Sequence, residues 1–227
     1  MQANRLDASD GAAEVRRSSA SPGNALGQLR ADEAGEHAEL RERAMEAVLL
    51  SCGELGYRKL TVAAVLKRYG GYRMQFYRLF GNVDECYAAA YELHSGLLAE
   101  RLLSAGAKAP DWRTGLRAAL EELARFARQQ PHLGLGLLSE VHSAGIPALA
   151  RRREVLERLS RAIDSARRET ESRHSPPPLT APFMVGAIES TVVRALARDE
   201  PELFERAIPE LEQLVGTAYF DDRLGSR

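Results

Sequence analysis

From Glu39 onward apolar residues recur every three or four positions and never in strict alternation, a rhythm that restricts the chain to helices. Leu40, Ala44, Ala47, Val48, Ser51 and Leu55 form the first stripe, charges fill its other side, and Gly56 stops it. Thr61 is expected to cap a short second helix with the stripe Val62, Val65 and Leu66, broken at Gly70-Gly71. Tyr72 to Phe80 reads as a third helix, with Phe76, Leu79 and Phe80 turned inward. Asn82 then caps a fourth, which carries Tyr87, Tyr91, His94, Leu98 and Leu102 on one side and ends near Leu103.

Beyond the small polar linker Ser104 to Asp111 the pattern stays helical. Helices are expected over Trp112 to Gln130, over Leu133 to Ala144 (loosened by Gly134 and Gly136), and over the Arg-rich stretch Pro147 to Arg173. Two more follow, Thr180 to Arg198 with Thr180 as cap, and Pro201 to Phe220, where Pro209 predicts a split or kink. The class is therefore all-α, with about nine helices. Residues 1–36 are rich in Ala, Ser, Gly and Asp without apolar periodicity and are expected to be disordered. The organisation expected is a tail over 1–36, a helix-turn-helix head over 37–82 and a regulatory and dimerisation domain over 83–227.

Composition excludes several functions. The longest run without a charged residue, His174 to Ile188, holds four prolines, so no segment is expected to span a bilayer. Asp7, Asp10 and Glu14 interrupt any signal-peptide core, and a cytoplasmic protein is the expectation. Two cysteines, Cys52 and Cys86, give neither a disulfide framework nor metal spacing. Neither metal nor cofactor is expected. No phosphate loop, nucleophile elbow or His-Glu-x-x-His occurs, so an enzyme is not expected. Cys86, opening the fourth helix, reads as a small buried hydrophobe, with a redox switch as the alternative.

Charge is unevenly placed. Leu55 to Val83 contains Arg58, Lys59, Lys67, Arg68, Arg73 and Arg78 and no acid. The chain has 31 basic residues; less these six, 25 face 32 acidic ones elsewhere. A local positive field in an acidic chain suits a phosphate backbone, because counterion release favours that pairing. The same window reads as two short helices about a Gly-Gly turn, the skeleton of a DNA-reading motif. The rival reading is an all-α interaction module whose basic face takes an acidic protein.

The block 43–90 resembles the N-terminal domain of the TetR (tetracycline-repressor) family of transcriptional regulators. The likeness lies in Gly56-Tyr57, Thr61-Val62, Gly70 in the turn, Phe76-Tyr77-Arg78-Leu79-Phe80, and Asn82-Val83-Asp84-Glu85. It implies a repressor that leaves double-stranded DNA when a small apolar or amphipathic effector binds. Tyr72, Arg73, Met74 and Gln75 would then open the recognition helix, with Arg73 suited to guanine and Gln75 to adenine. Tyr77, Arg78, Thr61, Tyr57, Arg58, Lys59 and Lys67 would position the phosphate backbone. The block departs from the family at Gly71-Tyr72-Arg73-Met74: Gly71 omits an apolar anchor, Tyr72 a capping hydroxyl, and Val83 stands where a lysine is common.

The resemblance also implies a homodimer on a palindromic operator, joined through the last two helices. Ile188, Thr191, Val192 and Ala195 line one apolar face, and Leu211, Leu214, Val215 and Ala218 the other. The alternative is that these faces complete the monomer's core. An effector cavity would be lined by His94, Trp112, Phe126, Leu137, His142, Phe183 and Met184, although residues of these types are more often core than pocket. No buried cation or carboxylate is evident among them, which is why the effector is expected to be apolar or amphipathic.

Overall fold

Side-chain caps set where the helices begin. The computed structural model describes residues 22–166 and 176–220, with side chains over 35–165 and 176–219. Helix α1 is Pro22–Leu55. Gly56 then adopts φ 80° and a 3-10 turn follows at Tyr57–Lys59. The Thr61 hydroxyl accepts from the Ala64 N–H at 3.2 Å and opens α2, Val62–Tyr69, which ends on Gly70 at φ 76°. Helix α3 is Arg73–Leu79. Asn82 Oδ1 accepts from the Glu85 N–H at 2.8 Å and opens α4, Val83–Ala107. Asp111 does the same for Thr114 at 2.9 Å and opens α5, Trp112–Gln129.

After α5 come α6, Pro131–Gly134, a π turn at Leu135–Ser139 and a 3-10 turn at Glu140–Ser143. Helix α7 is Ile146–Ala166, α8 Thr180–Ala197 and α9 Glu202–Phe220. The described residues are thus all-α, with nine α-helices and no strand. None of these helices alone is long and apolar enough to cross a membrane.

Four local expectations are corrected. The backbone is helical from Pro22, inside the stretch read as tail, while residues 1–21 lie outside the described ones. Gly35 to Glu39 are all exposed there. The 133–144 helix is broken into three short pieces of different pitch. Thr180 is the first residue of α8 and makes no cap. Helix α9 is not split at Pro209, whose ring lies on an exposed side. The part of the Pro147 to Arg173 helix beyond Ala166 lies outside the described residues.

Two compact units divide at Glu39 and Leu40. In the second, α4 packs on α5 and α7, α9 on α5 and α8, and α7 on α8. One apolar cluster runs from Ala44 and Val48 through Phe76 and Tyr87 to Phe126, Phe204 and Leu211, so the boundary expected after residue 82 falls inside a continuous core. A smaller cluster, Ala181, Val215 and Tyr219, carries Trp112, Ile163 and Met184. Cys52 and Cys86 are both fully buried and unpaired, and burial pushes each thiol up to about 12, so neither is a thiolate at neutral pH.

At two glycines the approach is backbone on backbone. A Cβ on Gly53 of α1 would overlap the His132 carbonyl, and one on Gly136 would overlap the Leu49 carbonyl. Only hydrogen fits at either position, so α1 lies directly against the π turn. The Tyr87 hydroxyl donates to the Gly136 carbonyl at 2.8 Å, and the Tyr57 N–H donates to Glu140 Oε2 at 2.7 Å. Gly136→Ala is therefore expected to cost about 1–3 kcal/mol in urea unfolding through overpacking. Gly186→Ala, where a Cβ meets nothing within 4 Å, is expected to stabilise α8 by about 0.5–1 kcal/mol. Equal effects at the two sites would refute the close contact.

Candidate nucleic-acid interface and the cavity behind it

Helix α3 divides its residues by face. Phe76 is fully buried and Phe80, just beyond it, nearly so, while Arg73, Met74, Tyr77 and Arg78 are exposed. Tyr72, preceding the helix, is 76% exposed and Met74 67%. Large apolar groups left in solvent beside cations are suited to thymine methyls and sugar edges in a groove. Arg58, Lys59, Thr61 and Lys67 are also exposed. Of the six cations in the basic window, Arg68 is tied to Glu54, which its guanidinium holds below the usual carboxylate range.

Two arginines that sequence reading missed hold this motif from α1. Arg43 Nη2 donates to the Tyr69 carbonyl at 2.8 Å, at the end of α2. Arg41 Nη1 donates to the Leu79 carbonyl at 3.1 Å, at the end of α3, and its guanidinium lies 4.4 Å from the centre of the Phe80 ring. Each cation sits where a helix presents its partial negative end and an unpaired carbonyl. The signal available in sequence was two arginines on the polar side of α1, one helical turn before the buried stripe.

Two residues expected at the DNA have partners within the chain. Tyr57 is half-buried: its ring meets Tyr87 edge-on at 4.9 Å and its hydroxyl donates to Asp84 Oδ1 at 2.8 Å. Burial first, then that hydrogen bond, push its phenol up, and it serves as an internal strut. Gln75 is half-buried and its Oε1 accepts from the Tyr72 N–H at 3.1 Å. It supplies the cap that Tyr72 cannot, and the oxygen a bidentate adenine contact needs is already used.

The missing anchor at Gly71 is also explained. A Cβ there would fall inside the Tyr69 ring, which is buried and fills that space itself. Anchor and glycine have exchanged positions, so the turn is packed.

Behind the head, α4, α5, α7 and α8 enclose a cavity of about 490 Å³, within the range of small-molecule sites. Its wall is mostly apolar and includes Leu98, Leu102, Leu116, Leu123, Leu156 and Val185. Of the lining expected from sequence, Trp112 and Leu137 are in this wall. His94 and Phe126 face a separate, more open groove between α4 and α5. Burial pulls the His94 imidazole down, against the charges of Glu46 and Glu42. His142 is exposed, Phe183 is 71% exposed, and Met184 packs on the smaller cluster, so these three are corrected. Their apolar or ring character singled them out, whereas the helix faces turn them elsewhere.

Contrary to expectation, the wall does hold a cation and a carboxylate. Arg152 Nε donates to Glu189 Oε1 at 3.0 Å, and Nη2 meets Oε2. Both side chains are partly buried, and Tyr91 and Ser95 belong to the same wall. A polar residue on the apolar face of α4 was the sequence signal for Ser95.

The expected dimer residues are mostly interior. Val192, Ala195, Leu211 and Val215 are buried within the single chain, Ile188 lines the cavity, and Ala218 packs on the smaller cluster. Thr191 is half-buried and Leu214 is 56% exposed. The most apolar stripe of each helix was used by the monomer's own core. Among the described residues no cluster of His, Cys, Asp or Glu is arranged to hold a metal.

No protein-family description matches the chain, and no curated protein matches it in sequence. Solved structures do match. The fatty acid degradation regulator FadR from Bacillus halodurans superposes with a TM-score of 0.69 at 15% identity, over 77% of this chain and 93% of that one. A TetR family transcription regulator from Marinobacter aquaeolei VT8 gives 0.64 at 18%, over 80% and 97%. FadR from Bacillus subtilis in complex with stearoyl-CoA gives 0.67 at 15%, over 76% and 96%. The fold is that of TetR-type transcription regulators.

The Tyr69–Gly71 exchange makes a testable pair. Gly71→Ala is expected to destabilise by about 1–3 kcal/mol, and adding Tyr69→Leu to recover much of that loss, since the cramped ring is gone. Additive effects in a urea-unfolding cycle would show that the two positions do not share the space.

Proposed function

We propose that the chain is a sequence-specific DNA-binding transcriptional regulator, a repressor released from its operator when the cavity behind the head fills. The observation that carries this is the face of α3. Arg73 and Arg78 stand exposed beside Tyr72, Met74 and Tyr77, on a helix capped locally by Gln75 and held at its far end by Arg41. A rigid, cationic helix end with free donors is what major-groove reading requires. Residues 37–82 are the DNA head in this reading and 83–227 the regulatory part.

Arg73 reads guanine, with Tyr72 and Met74 in apolar contact with neighbouring bases. Arg58, Lys59, Lys67, Arg78 and Tyr77 clamp phosphates, and Thr61 brings the start of α2 to the backbone. Gln75 holds the helix cap. The fold's likeness to a FadR structure that contains stearoyl-CoA supports a small molecule as the trigger. The absence of a membrane-crossing helix among the described residues fits a cytoplasmic regulator.

One head covers a single half-site, so the protein acts as a homodimer on a palindrome. The surface for this is the outer side of α8 and α9, where Phe183 and Leu214 remain exposed along with Ser190 and Glu210. It is less apolar than the stripes that fill the core.

Selection of DNA from a random library by the full-length protein tests the reading. An enriched palindrome is expected, with affinity falling steeply between low and physiological salt. Arg73→Ala is expected to cost about 1–3 kcal/mol and relax one position of each half-site, whereas Lys67→Ala weakens all sequences alike. No enriched sequence, or salt-independent binding, would sink the proposal. For the dimer, Phe183→Glu with Leu214→Glu is expected to give a monomer by light scattering where the unsubstituted chain is a dimer; two dimers would place the interface elsewhere.

A further inference from the structure

The polar groups in the cavity wall are unequal in what they have left to give. Asp111 lines the wall near Trp112, but its Oδ1 accepts from the Thr114 N–H and its Oδ2 from the Thr114 hydroxyl. Ser165 lines it too, and its hydroxyl donates to the Ala162 carbonyl. Arg152 and Glu189 close on each other through two parallel contacts, so their charges cancel. Ser95 differs: it is 6% exposed, lines the cavity, and its Oγ has no hydrogen-bond partner. A hydroxyl buried without a partner is costly, and natural structures leave few of them.

Ser95 stands one helical turn from Tyr91 on α4, and Tyr91 feels the charges of both Glu189 and Arg152. The four side chains therefore form one polar corner. Burial first and the Glu189 carboxylate second push the Tyr91 phenol up, so it stays neutral. The corner as a whole is uncharged. From it the wall continues along α4 and α5 as Leu98, Leu102, Leu116 and Leu120 toward Trp112.

A carboxylate entering the corner either takes Arg152 from Glu189 and leaves that carboxylate unpaired, or sets a second negative charge beside Glu189 with a single guanidinium to serve both. Removing one partner from a partly buried ion pair is strongly unfavourable. An uncharged head brings no charge beside the pair and can supply the hydrogen bond that Ser95 lacks.

Resting on the reading of this cavity as the effector site, we propose that its ligand is an elongated uncharged amphiphile, an alcohol or ester on an alkyl chain. Its polar group bonds Ser95 Oγ beside the closed Arg152–Glu189 pair, and its chain lies along α4 and α5 toward Trp112.

Titration calorimetry on the full-length protein, with decanol, decanoate and decanoyl-CoA as probes, tests this. Decanol is expected to bind at least about tenfold more tightly than decanoate, the discrimination set by the ion pair. Ser95→Ala, a small change in a packed helix, is expected to weaken decanol about fivefold, roughly the value of one neutral hydrogen bond, and to leave decanoate unchanged. Glu189→Gln frees the Arg152 charge and is expected to reverse the preference toward decanoate. Decanoate or decanoyl-CoA binding as tightly as decanol to the unsubstituted chain would overturn the proposal, and so would an indifferent Ser95→Ala. The titration needs no DNA. A protein that takes decanol but selects no duplex keeps this inference and loses the regulator reading, whereas one that selects an operator but prefers decanoate does the reverse.

Discussion

The head and the helices behind it meet where two backbones touch without side chains between them. Gly53 of α1 faces the His132 carbonyl, and Gly136 of the π turn faces the Leu49 carbonyl. Helices usually keep 8–10 Å between axes because side chains fill the gap. Here that spacer is missing, and a displacement of the turn is passed to α1 with no compliant layer to absorb it. Two hydrogen bonds fix the contact in register, Tyr87 to the Gly136 carbonyl and the Tyr57 N–H to Glu140. The wider pitch over Leu135–Ser139 belongs to the same device, since π turns interrupt an α-helix where its backbone is drawn into a specific contact.

From that contact the geometry of the reading motif follows in one direction. Helix α1 is held by the π turn, and it holds α2 and α3 through Arg43 and Arg41 at their C-terminal carbonyls. Their opposite ends are held locally, α2 by Thr61 and α3 by Gln75. A seven-residue helix such as α3 is too short to be stable from propensity alone. Its rigidity comes from these end contacts and from Phe76 and Phe80 beneath it. The cations left over, Arg73 and Arg78 foremost, are then presented on a fixed support.

The fold class was legible in the sequence because period and punctuation agreed. Thr61, Asn82 and Asp111 cap helices where a short polar side chain precedes an apolar stripe, and Gly56 and Gly70 take positive φ at helix ends. What was illegible depends on partners distant in sequence. Gln75 looks like a base reader until Tyr72 is seen to need its oxygen, and Tyr57 looks like a phosphate contact until Asp84, Tyr87 and Glu140 surround it. Apolar stripes on α8 and α9 do not say whether their own chain or another copy covers them, and here Val192 and Val215 are covered from within. Arg152 and Glu189 lie 37 positions apart, on helices whose rhythm gives each a solvated reading.

The cavity and the head share one element, and this is what makes a ligand-responsive reading mechanical. Leu137 and Leu138 are in the cavity wall, while Gly136 beside them is pressed against α1. Successive residues on a helical turn point to different sides, so one turn faces the cavity with two side chains and the head with its bare backbone. Under the proposed effector reading, a shift of the turn's backbone at Leu137 would carry Gly136 with it, and α1 has no side chain there to yield. The coupling can be only as large as the difference in ligand affinity between the two positions of the turn. The polar corner bears on that difference, because Tyr91 lies one turn along α4 from Tyr87, whose hydroxyl grips Gly136. Ser95 itself lies two helical turns along α4 from Tyr87, and so from the hydrogen bond that registers the turn against α1.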